Sequence, residues 1–155
     1  MAKLYSLIYR SYARPPWIGD KSLQEIAEEA NEFNAANDIS GLLILSNGVF
    51  IQVLEGETVQ ILELTARIAA DRRNERLRVL WHSLIDVRRF PKWSMGCFDV
   101  SDLGSKVGAV ADAISTPIGL EPVWTEGMTQ ELINFYRDNE VAGITPVFNV
   151  MRRIV

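Results

Sequence analysis

Three polar side chains stand where the patterning of this 155-residue chain calls for apolar ones. Gln52 shares the face of Phe50 and Leu54 in an otherwise apolar run, Val49 to Leu54. Asn34 follows Leu23 by eleven residues, which at ~100° per residue puts it about 20° from the centre of an apolar helical stripe. Tyr9 closes a short apolar run on the side it shares with Tyr5 and Leu7. A buried amide without a partner costs roughly 1–3 kcal/mol, so Gln52 and Asn34 must be hydrogen-bonded. Two arrangements meet that demand. One is a structural network or a backbone carbonyl. The other is a polar, planar ligand held between helices, for which an amide offers donor and acceptor on one group. Other chemistries are poorly supplied. His82 is the only histidine and Cys97 the only cysteine, which leaves no ligand set for a structural zinc and no catalytic dyad. Nothing beside Cys97 would lower a thiol pKa, and it reads as an inert strand residue.

The elements that would position these side chains follow from periodicity. Leu4 to Tyr9 reads as a central strand. Ser22-Leu-Gln-Glu25 is a capping-box pattern; it opens a helix with Leu23, Ile26, Ala27 and Ala30 on one stripe, ending before Asn37. Leu42 to Leu45 and Val49 to Leu54 flank Ser46-Asn47-Gly48, a strong hairpin signal. Residues 58–73 again read as helix, with Val59, Leu62, Ala66 and Ala69 on one side and Ile61, Leu64 and Ile68 nearly opposite. A helix apolar on two sides covers a sheet with one and meets something else with the other, which favours a ligand. Strands recur at Leu77 to Ile85 and Met95 to Val100. The order β-α-β-β-α-β-β predicts an α+β sandwich of the ferredoxin-like type, two helices on one face of an antiparallel-rich sheet. Beyond residue 100 a helical extension is expected, with helices over Lys106 to Ile114 and from near Thr129.

Composition narrows the partners. The net charge is −4 and the sequence pI about 5.1, which argues against direct nucleic-acid binding. Arg72, Arg73, Arg76 and Arg78 are diluted by Asp71 and Glu75 and read as a solvated helix end. One cysteine excludes an internal disulfide and fits a reducing cytoplasm. No apolar run approaches the ~18–20 residues of a membrane span, so no membrane partner is expected.

Taken together, Leu7-Ile-Tyr9-Arg-Ser11, Asn34 six residues before Ser40-Gly41, Phe50-Ile-Gln52-Val-Leu-Glu-Gly56 and Trp93-Ser-Met95 resemble the hallmarks of BLUF photoreceptors, over about residues 3–100. The resemblance implies a noncovalent flavin, usually FAD with FMN or riboflavin as alternatives, lying between the two helices. It implies that Tyr9 is the light-driven donor of an electron and a proton and that Gln52 bridges it to flavin N5 and O4. Asn34 would hold the O4 and N3 edge and Arg73 would stand near O2. Arg67, Ile68 and Asp71 would flank the ring or the ribityl chain. Trp93 and Met95 would transmit the rearrangement to the sheet. Asn74, Ala30 and Phe33 depart from the family pattern, at positions where many members carry a histidine, a serine and residues of varied polarity.

The expectation is therefore a blue-light photoreceptor and not an enzyme. Residues 1–100 would be the flavin-binding domain. Residues 101–155 would pack on the sheet or mediate interactions, passing the signal to a separate effector, to another copy of the chain, or to both. The competing reading is a non-photoactive ligand-binding module or small enzyme of ferredoxin-like fold; an acylphosphatase-like site would need an arginine–asparagine phosphate loop that is not apparent.

Overall fold

The computed structural model describes residues 3–14, 20–91, 96–100 and 103–141. The first strand, β1, runs Leu4–Ala13 rather than stopping at Tyr9. Polar residues continue it because it is paired on both sides, and a central ladder satisfies the backbone whatever the side chains are. Helix α1 (Asp20–Ala36) leads to the hairpin of β2 (Ser40–Ser46) and β3 (Val49–Glu57). Asn47 and Gly48 both adopt positive φ, 50° and 79°, the turn that matches the twist of two-residue hairpins.

Helix α2 (Thr58–Ala69) ends four residues short of the sequence expectation, before Asp71 and Arg73. The reason is local. The Asp71 carboxylate accepts the Arg73 backbone N–H at 2.9 Å, and its carbonyl accepts that of Asn74 at 3.3 Å, so a turn replaces the helix. Strand β4 (Asn74–Ile85) therefore starts earlier than Leu77, and β5 (Gly96–Asp99) is short. The arginine cluster is not one solvated end: Arg73 is in the turn, Arg76 has a φ of 57°, and Arg78 pairs with Glu121 at 3.2 Å.

The strand order is β4-β1-β3-β2-β5. The first four strands are antiparallel, and β5 joins β2 in parallel. This is the ferredoxin-like α+β arrangement with one added edge strand. Strand alternation divides the core in two. Leu7, Tyr9, Leu43, Phe50 and Leu54 form one cluster, against which Ile26 and Ala30 of α1 and Leu64 and Ile68 of α2 pack. Ile8, Leu42, Ile44, Ile51 and Val53 face the other way. They meet α3 (Gly108–Ser115) and α4 (Glu126–Val141), which contribute Val110, Ala113, Met128, Leu132, Phe135 and Tyr136. Two edge-on aromatic pairs, Phe90–Tyr136 and Phe98–Phe135, each 5.2 Å between centroids, lock this second layer.

Fully buried Glu55 holds the chain entering that layer, accepting the backbone N–H groups of Arg89 and Phe90 at 2.7 and 2.9 Å. Gly56 next to it is tightly enclosed: a Cβ would lie 3.3 Å from both the Asp38 carbonyl and the Ile39 side chain, so a neighbour would have to give way by a few tenths of an ångström. The two apolar sides of α2 also resolve. Ile61, Leu64 and Ile68 face the core, whereas Val59 and Leu62 are 57% and 49% exposed. The spare apolar side thus faces outward and gives no support to a ligand.

The second layer should carry much of the stability. Leu132→Ala removes a fully buried side chain, and should cost about 2–5 kcal/mol in urea or guanidinium unfolding. A loss under 1 kcal/mol would mean that α4 is not part of the cooperative fold.

Candidate functional site

Tyr9 and Gln52 are direct partners across the β1–β3 ladder, close enough for their side chains to meet on one face. The Tyr9 hydroxyl donates to Gln52 Oε1. Both residues are buried, as is Asn34 near the end of α1. All three line a cavity of about 440 Å³ bounded by α1, α2 and the helix-covered face of the sheet. That volume falls within the ~300–1,000 Å³ of small-molecule sites. Ile26, Leu43, Phe50, Leu64 and Ile68 supply apolar walls.

The mouth is charged. Arg73 donates to Asp71 through Nε at 3.0 Å and Nη2 at 2.6 Å, and the same Nη2 reaches Glu29 of α1 at 2.7 Å. The hydrogen bond from Arg73 holds the Asp71 carboxyl below its usual range, against the opposing effect of partial burial. Arg67 lies over the Phe33 ring, 4.6 Å from its centroid. Asn74 turns its amide N–H groups to the carbonyls of Ile68 and Asp71, at 2.8 and 3.0 Å, and so fastens the turn below the cavity.

Every residue expected to hold the ligand therefore lines one cavity: Tyr9, Asn34, Gln52, Arg67, Ile68, Asp71 and Arg73. Asp71 and Arg73 do so from the turn after α2 and not from the helix itself. Trp93 and Met95 lie outside the described residues. Glu29 was missed from the sequence. Its signal was spacing: three residues after Ile26 and four before Phe33, it shares the cavity-facing side of α1.

The donor set fits a planar heteroaromatic ligand with a polar edge. Two buried amides present both donor and acceptor at the floor, aliphatic side chains flank the space, and arginines stand at the mouth. A family model described as sensors of blue-light using FAD matches residues 4–96. The chain belongs to the BLUF family. The blue light- and temperature-regulated antirepressor BluF of Escherichia coli K12 is 33% identical over 97 residues, 63% of this chain; the match spans 24% of that relative's length. The dark-state structure of BlrB, a BLUF protein, is 26% identical, with a TM-score of 0.71 and coverage of 89% of this chain and 98% of that one. The photo-activated state of BlsA shares the fold, with a TM-score of 0.73 over 86% of this chain and 94% of that one at 24% identity.

As a BLUF protein the chain is a flavin-binding blue-light photoreceptor domain. Among the described residues, no helix is long and apolar enough to cross a membrane, and no cluster of three metal-ligating side chains occurs.

The charged mouth predicts an acid limb in stability. Asp71 has a lowered folded pKa, so its contribution is present above the ordinary aspartate value near 3.8 and is lost as pH falls through the lower folded one. Asp71→Asn should flatten the decline of melting temperature with acidification in that window. An unchanged profile would show that the Arg73 contact adds nothing to stability.

Proposed function

We propose that Tyr9 and Gln52 are the photoactive pair of this photoreceptor and that the bound flavin is FAD. The observation that carries the reading is the Tyr9 hydroxyl donating to a buried amide at the floor of the cavity. A bound flavin supplies the blue absorption and, once excited, an electron acceptor. Tyr9 gives up its electron and its hydroxyl proton together, which avoids a net charge in an apolar site. Gln52 can take that proton at Oε1, where the hydrogen bond already points, and release one from Nε2 toward the ligand, so the amide stays neutral. When Tyr9 recovers both the electron and the proton, the amide would be left turned or in its other tautomer, and the hydrogen-bond pattern at the cavity floor would have changed without net redox change. A connected polar pair with two arrangements is the bistable element a switch needs. No tuned carboxylate takes part.

Asn34 holds the ligand's imide edge and walls such as Ile68 flank the ring. Arg73 stands near the ring's O2 edge, and Arg67 and Asp71 flank the ring or the ribityl chain at the polar mouth. Residues 1–100 act as the sensor and 101–155 as the output, with Trp93 and Met95 as transmitters. The receiver is a separate effector or a second copy of the chain. An effector is the reading favoured by the antirepressor relative. The output segment has no histidine and no cysteine, and the chain is assigned no catalysis of its own and a cytoplasmic setting.

Two measurements test this. The purified protein should release unmodified FAD on denaturation, and its blue band should shift reversibly to the red under illumination; a covalent adduct or a permanently bleached band contradicts the assignment. Tyr9→Phe keeps the ring and removes the donor hydroxyl, while Gln52→Leu keeps most of the bulk and removes the relay. Each should retain flavin and lose the red-shifted state, so a normal reversible shift in either would refute its role.

A further inference from the structure

Arg10 directly follows Tyr9 in β1 and is fully buried. Alternation sends its side chain through to the opposite face of the sheet. There Nη1 donates to the carbonyls of Ala113 and Thr116, at 3.0 and 2.8 Å, at the last turn and C-cap of α3. A cation is favourable at a helix C-terminus. The same nitrogen lies 3.9 Å from a carboxylate oxygen of Glu121, whose other oxygen pairs with Arg78 of β4 at 3.2 Å and accepts the Gly119 N–H at 2.9 Å. One strand residue thus ties down both the end of α3 and the turn that follows it.

Two observations suggest more than a static anchor. Arg10 Nε and Glu121 Oε1 are buried without a hydrogen-bond partner, and a half-satisfied buried charge network is a costly way to hold a helix that apolar contacts could hold alone. The β1–β4 ladder is also irregular on both sides of the Tyr9–Arg10 pair. Leu80 is an extra residue opposite the Ile8–Tyr9 step, and Arg76 and Leu77 together oppose Ser11. The β1–β3 ladder runs through the same residues without a break. Tyr9 and Arg10 thus keep unbroken register with the strand that carries Gln52, whereas their two pairs with β4, to Val79 and Arg78, stand between two interruptions of that ladder.

We propose that Arg10 is a positioning residue that makes the state of the Tyr9–Gln52 pair felt at the end of α3 and the 117–121 turn, by a path straight through the sheet. A shift of the Tyr9–Arg10 segment on one face moves a rigid guanidinium fork on the other, and the carbonyls it holds move with it. This path rests on the photoreceptor reading above.

The test is amide hydrogen exchange on the full, flavin-loaded chain in darkness and under continuous blue light, with the red shift recorded on the same samples. The wild type should show a light-dependent change in exchange over residues 113–121 of at least about twofold. Arg10→Met, which keeps an unbranched buried stem, should retain the red shift and lose that change. Arg10→Lys, with a charge but no fork, should fall between. An Arg10→Met protein with the wild-type change, or a wild type with a red shift and none, overturns the proposal. If Arg10→Met does not fold, Arg10→Lys decides: a reduced change supports the path and a full one overturns it. A wild type without any red shift would overturn the photoreceptor reading, and this inference with it.

Discussion

The register that sets Tyr9 opposite Gln52 is the constraint on which the rest of the molecule depends. Side chains alternate along a strand, so a slip of one residue between β1 and β3 would carry Tyr9 away from the cavity and out of reach of its amide. The turn at Asn47–Gly48 fixes β3 against β2, and nine consecutive pairs then fix β1 against β3. Gly56 lets the end of that ladder pass close under the Asp38 backbone. Only with these in place can α1 and α2 lean over one face and enclose a space floored by the tyrosine and the amide.

The opposite face of the same strands is equally constrained. Arg10 and Glu55 are buried there or at its border, and each is met by groups from segments far along the chain. Buried charges contribute little net stability when paired, but removing one partner is costly. The sensing sheet and the C-terminal helices thus share one core and one set of charge contacts. A sensor of this construction needs no long lever. Its C-terminal helical layer begins one side chain's length from Tyr9.

Much of this arrangement was legible in the chain. The order of strands and helices through residue 100 followed from periodicity and one turn signal, and the residues that the resemblance assigned to the ligand line one cavity, while Trp93 and Met95 lie outside the described residues. The failures have physical causes. Polar residues after Tyr9 concealed the rest of β1, because a strand paired on both sides does not need an apolar pattern. The second helix looked longer because Asp71 and Arg73 continue a helical rhythm, whereas the Asp71 side chain competes for the backbone and ends it. The apolar stripe of Val59 and Leu62 suggested a buried second face and is exposed instead. Glu29 was hidden because its role rests on Arg73, forty-four residues away in the chain, and no local pattern reports such a pair.

The strand order also governs how the molecule assembles. The β2–β3 hairpin is local and can close early, as can the first turns of α2. Strand β1 cannot. Its two neighbours start at Val49 and Asn74, so during synthesis it must wait, with both edges open, until the chain has grown past them. Non-local pairing of this kind is slow, and an open apolar strand is an invitation to aggregation while it lasts. Among the described strands, the one that carries Tyr9 is made first and is among the last to be placed.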